Sequence, residues 1–223
     1  MRAKKLDNET YNKYIEAMLE LIAEKEGLTG VNLRMVSKRV GCAHTNAYNY
    51  FDGFDGLIFA AYDRALVLYG LAVVKGLDEI EDGGQYFLAF INNIINFALE
   101  NPGYYRFIGS DSFNIKNLSI ETIQKAIELK AFFLDVFYSV VKPVLDKEES
   151  DEDANILMSY IDGELFNIIN MRAFPDDNTA KRMIFNTVKL VKLFTLKDGN
   201  CIDLEKNCER SFEPSMPKYL MNN

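Results

Sequence analysis

Residues 33–51 read LRMVSKRVGCAHTNAYNYF, and this stretch decides how the first part of the chain folds. Leu33, Val36 and Val40 recur at three- and four-residue spacing, which gives a short helix one apolar side. Asn32 stands just before them, where its side chain can accept from the free amides of the first turn. Gly41 follows the last apolar position and supplies a turn, because glycine enters left-handed backbone without a side-chain clash. A second short helix is expected from about His44 to Tyr50, with Ala47 facing inward and Tyr50 or Phe51 anchoring its end. Two helices and a glycine turn within about twenty residues is the spacing of a helix-turn-helix, in which the first helix braces the second.

Working outward, Tyr14, Met18, Leu21 and Ile22 share the face of an earlier helix, and Gly27 and Gly30 punctuate the loop after it. These three helices make a small head. A long helix is expected over residues 55–75. Gly83 and Gly84 open another that carries Phe87, Phe90, Ile91, Ile94, Ile95 and Ala98 and ends near Asn101, ahead of Pro102. A shorter piece holds Tyr104, Tyr105 and Phe107. The helix over residues 119–141 should stop near Lys142, since Pro143 disfavours helix immediately before itself. The acidic run from Lys147 to Asp153 reads as a solvated connection, and two strong helices follow over about 152–172 and 179–196. The tail from Lys197 reads as irregular, and no segment shows strand alternation. The expectation is an all-α chain of about nine helices: a three-helix head, a long joining helix and a C-terminal helical bundle.

Composition narrows the function. A chain of 223 residues can bury roughly 70% of its extended surface, so size demands neither a metal nor a disulfide. Hydrophobic residues at 48% and charged residues at 26% exclude a wholly disordered or collagenous chain. Cys42, Cys201 and Cys208 form no C-x-x-C pair, and the one histidine, His44, cannot supply the two Glu-x-x-His pairs of a helical di-iron enzyme. No G-x-S-x-G, G-x-x-x-x-G-K or G-x-G-x-x-G occurs. A non-enzyme without cofactor or metal is expected. Residues 1–6 lack the apolar core of a secretory signal, and no consecutive apolar run approaches 18 residues, so the expected place is the cytoplasm, with no membrane partner.

The net charge of -8 would disfavour a polyanion as partner, but residues 27–50 carry Arg34, Lys38 and Arg39 and no acid. On the exposed side of the second short helix His44, Thr45, Asn46, Tyr48 and Asn49 offer hydrogen-bonding groups that can reach base edges or phosphates.

Residues 10–66 resemble the N-terminal DNA-binding domain of the TetR family of transcriptional regulators. Gly27, the 32–40 helix, Gly41, then Tyr48, Tyr50, Phe51 and Leu57 carry the likeness. The resemblance implies a DNA-binding head over residues 1–54, a ligand-binding and dimerisation domain over 55–197 and an irregular tail over 198–223. It implies that Asn32 caps the second helix and touches a phosphate, and that Tyr48 donates to one. His44, Thr45, Asn46 and Asn49 would then lie on the recognition helix. Phe54 departs from the family, standing where a phosphate-binding lysine is usual, and Arg34 and Lys38 would compensate. Cys42 and Ala43 replace the usual valine and serine, and Cys42 is expected to pack as a small core residue.

The implied partners are double-stranded operator DNA, a second copy of the chain paired through the last two helices, and a small apolar or aromatic ligand. Repression with ligand-induced release is the family's usual mode. Val188 or Val191 is the expected seam of the dimer, and the rings between Phe87 and Tyr138 are expected to surround the ligand. The alternative is a helical adaptor with a degenerate head, suggested by Phe54 and the overall acidity.

Overall fold

Every regular element in the computed structural model, which describes residues 8–111, 120–145 and 150–195, is helical. The α-helices are α1 (Asn8–Glu24), α2 (Leu33–Val40), α3 (Gly53–Val73), α4 (Gly83–Glu100), α5 (Pro102–Gly109), α6 (Ile120–Leu145), α7 (Ser150–Ile169) and α8 (Thr179–Thr195). Between α2 and α3, the expected short helix is a 3-10 helix over His44–Asn49. The all-α expectation holds.

Packing divides the chain within α3, between Leu68 and Tyr69, between α4 and α5, and within α6, between Glu128 and Leu129, so that α5 belongs to the first unit. The first unit is larger than the head expected at residues 1–54. Three short helices cannot cover their own apolar sides, so Leu57, Ala61 and Ala65 of α3 and Phe107 of α5 complete the core around Tyr14, Met18, Ile22, Val36 and Ala47. Burying a phenylalanine such as Phe107 contributes about 2–3 kcal/mol before its ordering cost. α1 packs on both α2 and α5. Gly103 makes the second contact possible, because a Cβ there would lie 2.6 Å from the Ile22 carbonyl oxygen and 3.1 Å from the Glu26 Cα.

In the second unit α4 packs against α7 and α8. Its expected apolar residues Phe87, Phe90, Ile91, Ile94, Ile95 and Ala98 are all buried. Leu157, Ile161 and Leu165 of α7 and Met183 and Val191 of α8 are buried in the same unit. Asp82 starts α4 by accepting from the Gln85 amide at 2.7 Å. Tyr69 packs edge-on to Phe97 at 5.2 Å and tilted against Phe133 at 5.7 Å, and Phe90 meets Phe137 at 6.3 Å. Burial pushes the Tyr69 hydroxyl well above the usual tyrosine range, and the Asp162 carboxylate adds to the shift.

Several expectations change. α6 continues through Pro143 to Leu145, and burial of Val144 and Leu145 accounts for the extra turn. Asp151, Glu152 and Asp153 form the first turn of α7 rather than a connection, complementing the free amides of a helix start, and Asp151 pairs with Lys142. Tyr104, Tyr105 and Phe107 belong to the first unit, and Phe87, Phe90, Phe97, Phe133 and Phe137 to the second. Phe113, the tail, Cys201 and Cys208 lie outside the described residues. α3 is long and apolar enough, by length and composition alone, to cross a membrane, although Asp63 and Arg64 stand within it and Leu57, Ala61 and Ala65 fill the first unit's core.

Candidate nucleic-acid interface

The helix-turn-helix is set by its end groups. Asn32 has extended backbone, and its side-chain oxygen accepts from the Met35 amide at 3.1 Å. That bond satisfies one of the amides a helix start leaves open, a contribution of about 1 kcal/mol. At the other end Gly41 has φ 78° and ψ 24°, and its amide donates to the Lys38 carbonyl. The following Cys42 amide returns to the Ser37 carbonyl at 2.9 Å. This paired closure needs a left-handed residue, which is why a glycine stands there.

The chain then enters the 3-10 helix. Ala47 is buried at its centre, and the amides of Tyr50 and Phe51 both donate to the Ala47 carbonyl at 3.0 Å. Phe51 anchors the exit, stacked on Tyr11 at 4.8 Å and edge-on to Tyr14 at 5.9 Å. A 3-10 helix has three residues per turn, so side chains three apart eclipse each other. Thr45 therefore lines up with Tyr48, and Asn46 with Asn49. The second pair is joined, with Asn49 Nδ2 donating to Asn46 Oδ1 at 3.1 Å.

The eight residues singled out from the sequence all lie in the first unit. Asn32, Arg34, Lys38, His44, Thr45, Tyr48 and Asn49 are exposed, and Asn46 is half-buried. Tyr48 is the most open aromatic of the head at 59% exposure. Arg34 and Lys38, four apart, share one face of α2. Arg39 does not join them: its guanidinium donates to Glu24 at 2.7 Å and lies 3.5 Å from Glu20, both on α1. That hydrogen bond to Arg39 is the chief reason the Glu24 carboxyl sits below its usual range. Phe54 packs against the head core, as does the half-buried Cys42, so the residue that departs from the resemblance serves the fold.

Sequence reasoning missed a second feature. The Arg106 guanidinium of α5 donates to the Glu26 carbonyl, and the Asp111 carboxylate accepts from the Leu28 amide at 2.6 Å. Gly27 lies between them with φ 146°, and a Cβ there would come within 3.1 Å of both side chains. Together they clamp the loop that leads into α2. Asp111 is thus engaged by a backbone amide. Nothing local in the sequence signals a contact across 83 residues.

A capped bracing helix, a left-handed glycine turn and a polar second helix, continued by long helices, make the fold of the TetR-family transcriptional regulators. The chain superposes on a TetR-family transcription regulator from Marinobacter aquaeolei VT8 with TM-score 0.59 and 13% identity, over 82% of this chain and 96% of that one. A transcriptional regulator from Rhodococcus sp. Rha1 matches with TM-score 0.65 and 15% identity, over 82% and 96% of the two chains. The transcriptional regulator FadR from Bacillus subtilis, in complex with stearoyl-CoA, matches with TM-score 0.60 and 14% identity, over 83% and 98%. In sequence the chain is 31% identical over 102 residues to the uncharacterized HTH-type transcriptional regulator YobS of Bacillus subtilis strain 168, covering 43% of this chain. The chain spans about half the length, 49%, of that curated relative. No family model matches the chain.

Proposed function

We propose that the chain is a cytoplasmic DNA-binding transcriptional regulator of the TetR type, a homodimer that represses by occupying an operator and is released by a small apolar ligand. The observation that carries this reading is the set of exposed polar residues His44, Thr45, Tyr48 and Asn49 on a 3-10 helix anchored by the buried Ala47, beside Arg34 and Lys38 in a stretch without acids. In this reading residues 1–54 meet DNA, while residues 55–197 bind ligand and pair the two copies. Two heads reading successive major grooves must be held about 34–36 Å apart or a multiple of it, which calls for a two-fold partner.

The faces of α7 and α8 support such pairing. Ile156, Ser159, Gly163 and Phe166 lie on one side of α7 at spacings of three and four, all exposed, and no atom stands within 4 Å of a Cβ built at Gly163. On α8 Phe185 and Leu193 are about 60% exposed, whereas Val191 is buried inside its own protomer. Val191 is therefore set aside as a seam residue and Phe185 takes its place. The ligand reading draws on FadR, whose structure holds stearoyl-CoA, and on the rings of Tyr69, Phe90, Phe97, Phe133 and Phe137 in the second unit.

Fluorescence anisotropy on labelled operator and random duplexes tests the DNA contact. Tyr48→Phe removes only a hydroxyl and should weaken both duplexes together, with helicity unchanged. Asn46→Ala or Asn49→Ala should instead narrow the gap between operator and random DNA by about 1–3 kcal/mol. Unchanged affinity of Tyr48→Phe on both duplexes would remove Tyr48 from the interface.

A further inference from the structure

The basic island of the sequence does not reach the DNA face whole. Arg34 and Lys38 are exposed on one side of α2. Arg39 follows Lys38 by one residue, about 100° around the helix, and is exposed as well. It turns toward α1, where one guanidinium meets two carboxylates, Glu24 at 2.7 Å and Glu20 at 3.5 Å. The three side chains together carry a net charge of -1 beside a surface whose proposed partner is a polyanion. Exposed ion pairs contribute little to stability, so the fold gains little from holding Arg39 there. Phe54 adds no cation of its own, since it packs into the head core.

We infer that the Glu20–Arg39–Glu24 triad is an electrostatic brake on DNA binding: Glu20 and Glu24 withhold Arg39 from the phosphates and set the head's affinity below what Arg34, Lys38 and Arg39 together would provide. The inference rests on the DNA-binding reading above and adds to it the residues that limit affinity. Glu20 and Glu24 act through Arg39 and through their own charge, and neither need touch DNA. Lys25 also faces Glu24 electrostatically, but the hydrogen bond from Arg39 dominates.

The test uses the full chain and a fluorescein-labelled duplex of mixed sequence, with affinity measured against salt. Four proteins are compared: the parent, Glu20→Gln with Glu24→Gln, Arg39→Gln alone, and all three changes together. Circular dichroism confirms that each retains the parent's helicity. The double glutamine variant should bind more tightly, and each head engaged should add about a threefold loss of affinity between about 50 and 200 mM salt, the effect of one more phosphate contact. Arg39→Gln alone should leave the parent's salt slope unchanged, and in the glutamine background it should remove the added slope.

A flatter slope for Arg39→Gln alone would show that Arg39 already meets phosphate and would overturn the brake. An equal gain in the triple variant would reduce the effect to general charge and overturn it as well. If none of the four binds the duplex at any salt concentration, the DNA-binding reading itself fails and this inference falls with it.

Discussion

The two packing units use the same element, the amphipathic helix, and differ in what makes each helix definite. In the head the elements are short and their ends are fixed individually. Asn32 caps α2, Gly41 closes it, Phe51 pins the 3-10 helix on Tyr11 and Tyr14, and Arg106 with Asp111 holds the loop before α2. In the second unit the helices are long, and α4 is defined by a continuous buried face. α7 and α8 retain exposed apolar positions after their own packing is complete. A part whose ends are fixed can present a precise surface, whereas a part with unpaired apolar faces calls for a partner.

The largest effect should come from attacking that second property. Phe166→Glu combined with Phe185→Glu places a charge on each exposed face without entering the protomer core, since both rings are open to solvent. If the proposed dimer forms through these faces, sedimentation equilibrium should show dimer for the parent and monomer for the variant, with the helical signal retained. Val191→Glu is the instructive contrast. It buries a charge inside the protomer and should unfold the unit rather than separate two folded chains. A dimer unaffected by the phenylalanine changes would place the seam elsewhere.

The next effect attacks the end-fixing of the head. At Gly103 the nearest neighbours of an added Cβ are backbone atoms, Ile22 O at 2.6 Å and the Ala23 Cα at 3.2 Å, which cannot swing away as a side-chain tip can. Gly103→Ala must push α5 from α1, at a cost of about 1–3 kcal/mol, visible as a lower denaturation midpoint. At Gly163, where no atom stands within 4 Å, the same substitution should not destabilise the protomer in this way. Any change in self-association from Gly163→Ala would then report on the proposed pairing face alone.

These contrasts also explain what the sequence shows and what it conceals. The helix-turn-helix is legible because its determinants are local: Asn32, Gly41 and the inward Ala47 each act within a few residues. Its second helix is 3-10 rather than α, which suits HTNAYN, a six-residue segment with one strong helix former. Concealed are the features set by which face a residue takes after packing. Arg34, Lys38 and Arg39 look equivalent in the sequence, yet one of them turns to α1. The rings from Phe87 to Tyr138 look like one cluster, yet the close approach at Gly103 draws α5 and Phe107 into the head. Val188 and Val191 fit the apolar stripe of α8 equally well, yet Val191 is buried inside the protomer while Val188 is half-buried, and the exposed Phe185 lies off the stripe. Periodicity identifies the face a helix buries first and says little about a second face.

The smallest predicted effect separates the units by pH. Asp63 of α3 is half-buried in the head, and burial raises its carboxyl above the usual range, with Lys125 and Arg64 pulling it partly back. Its charge also helps raise the hydroxyl of Tyr11, for which burial is the larger cause. Because the folded state holds the proton more tightly than the unfolded chain, the charged form costs stability at every pH above the folded value. That cost declines as pH falls through the folded value and is gone below the ordinary aspartate value of 3.8. Asp63→Asn, which carries no charge at any pH, should therefore raise the melting temperature at pH 7, and the difference from the parent should close on acidification. Paired melts at a series of pH values provide the measurement. If the parent is instead the more stable protein at pH 7 and loses its advantage in acid, the Asp63 carboxylate is stabilised by Lys125 and Arg64 more than it is penalised by burial. The head would then hold that charge by pairing, as it holds Arg39, and not in spite of its surroundings.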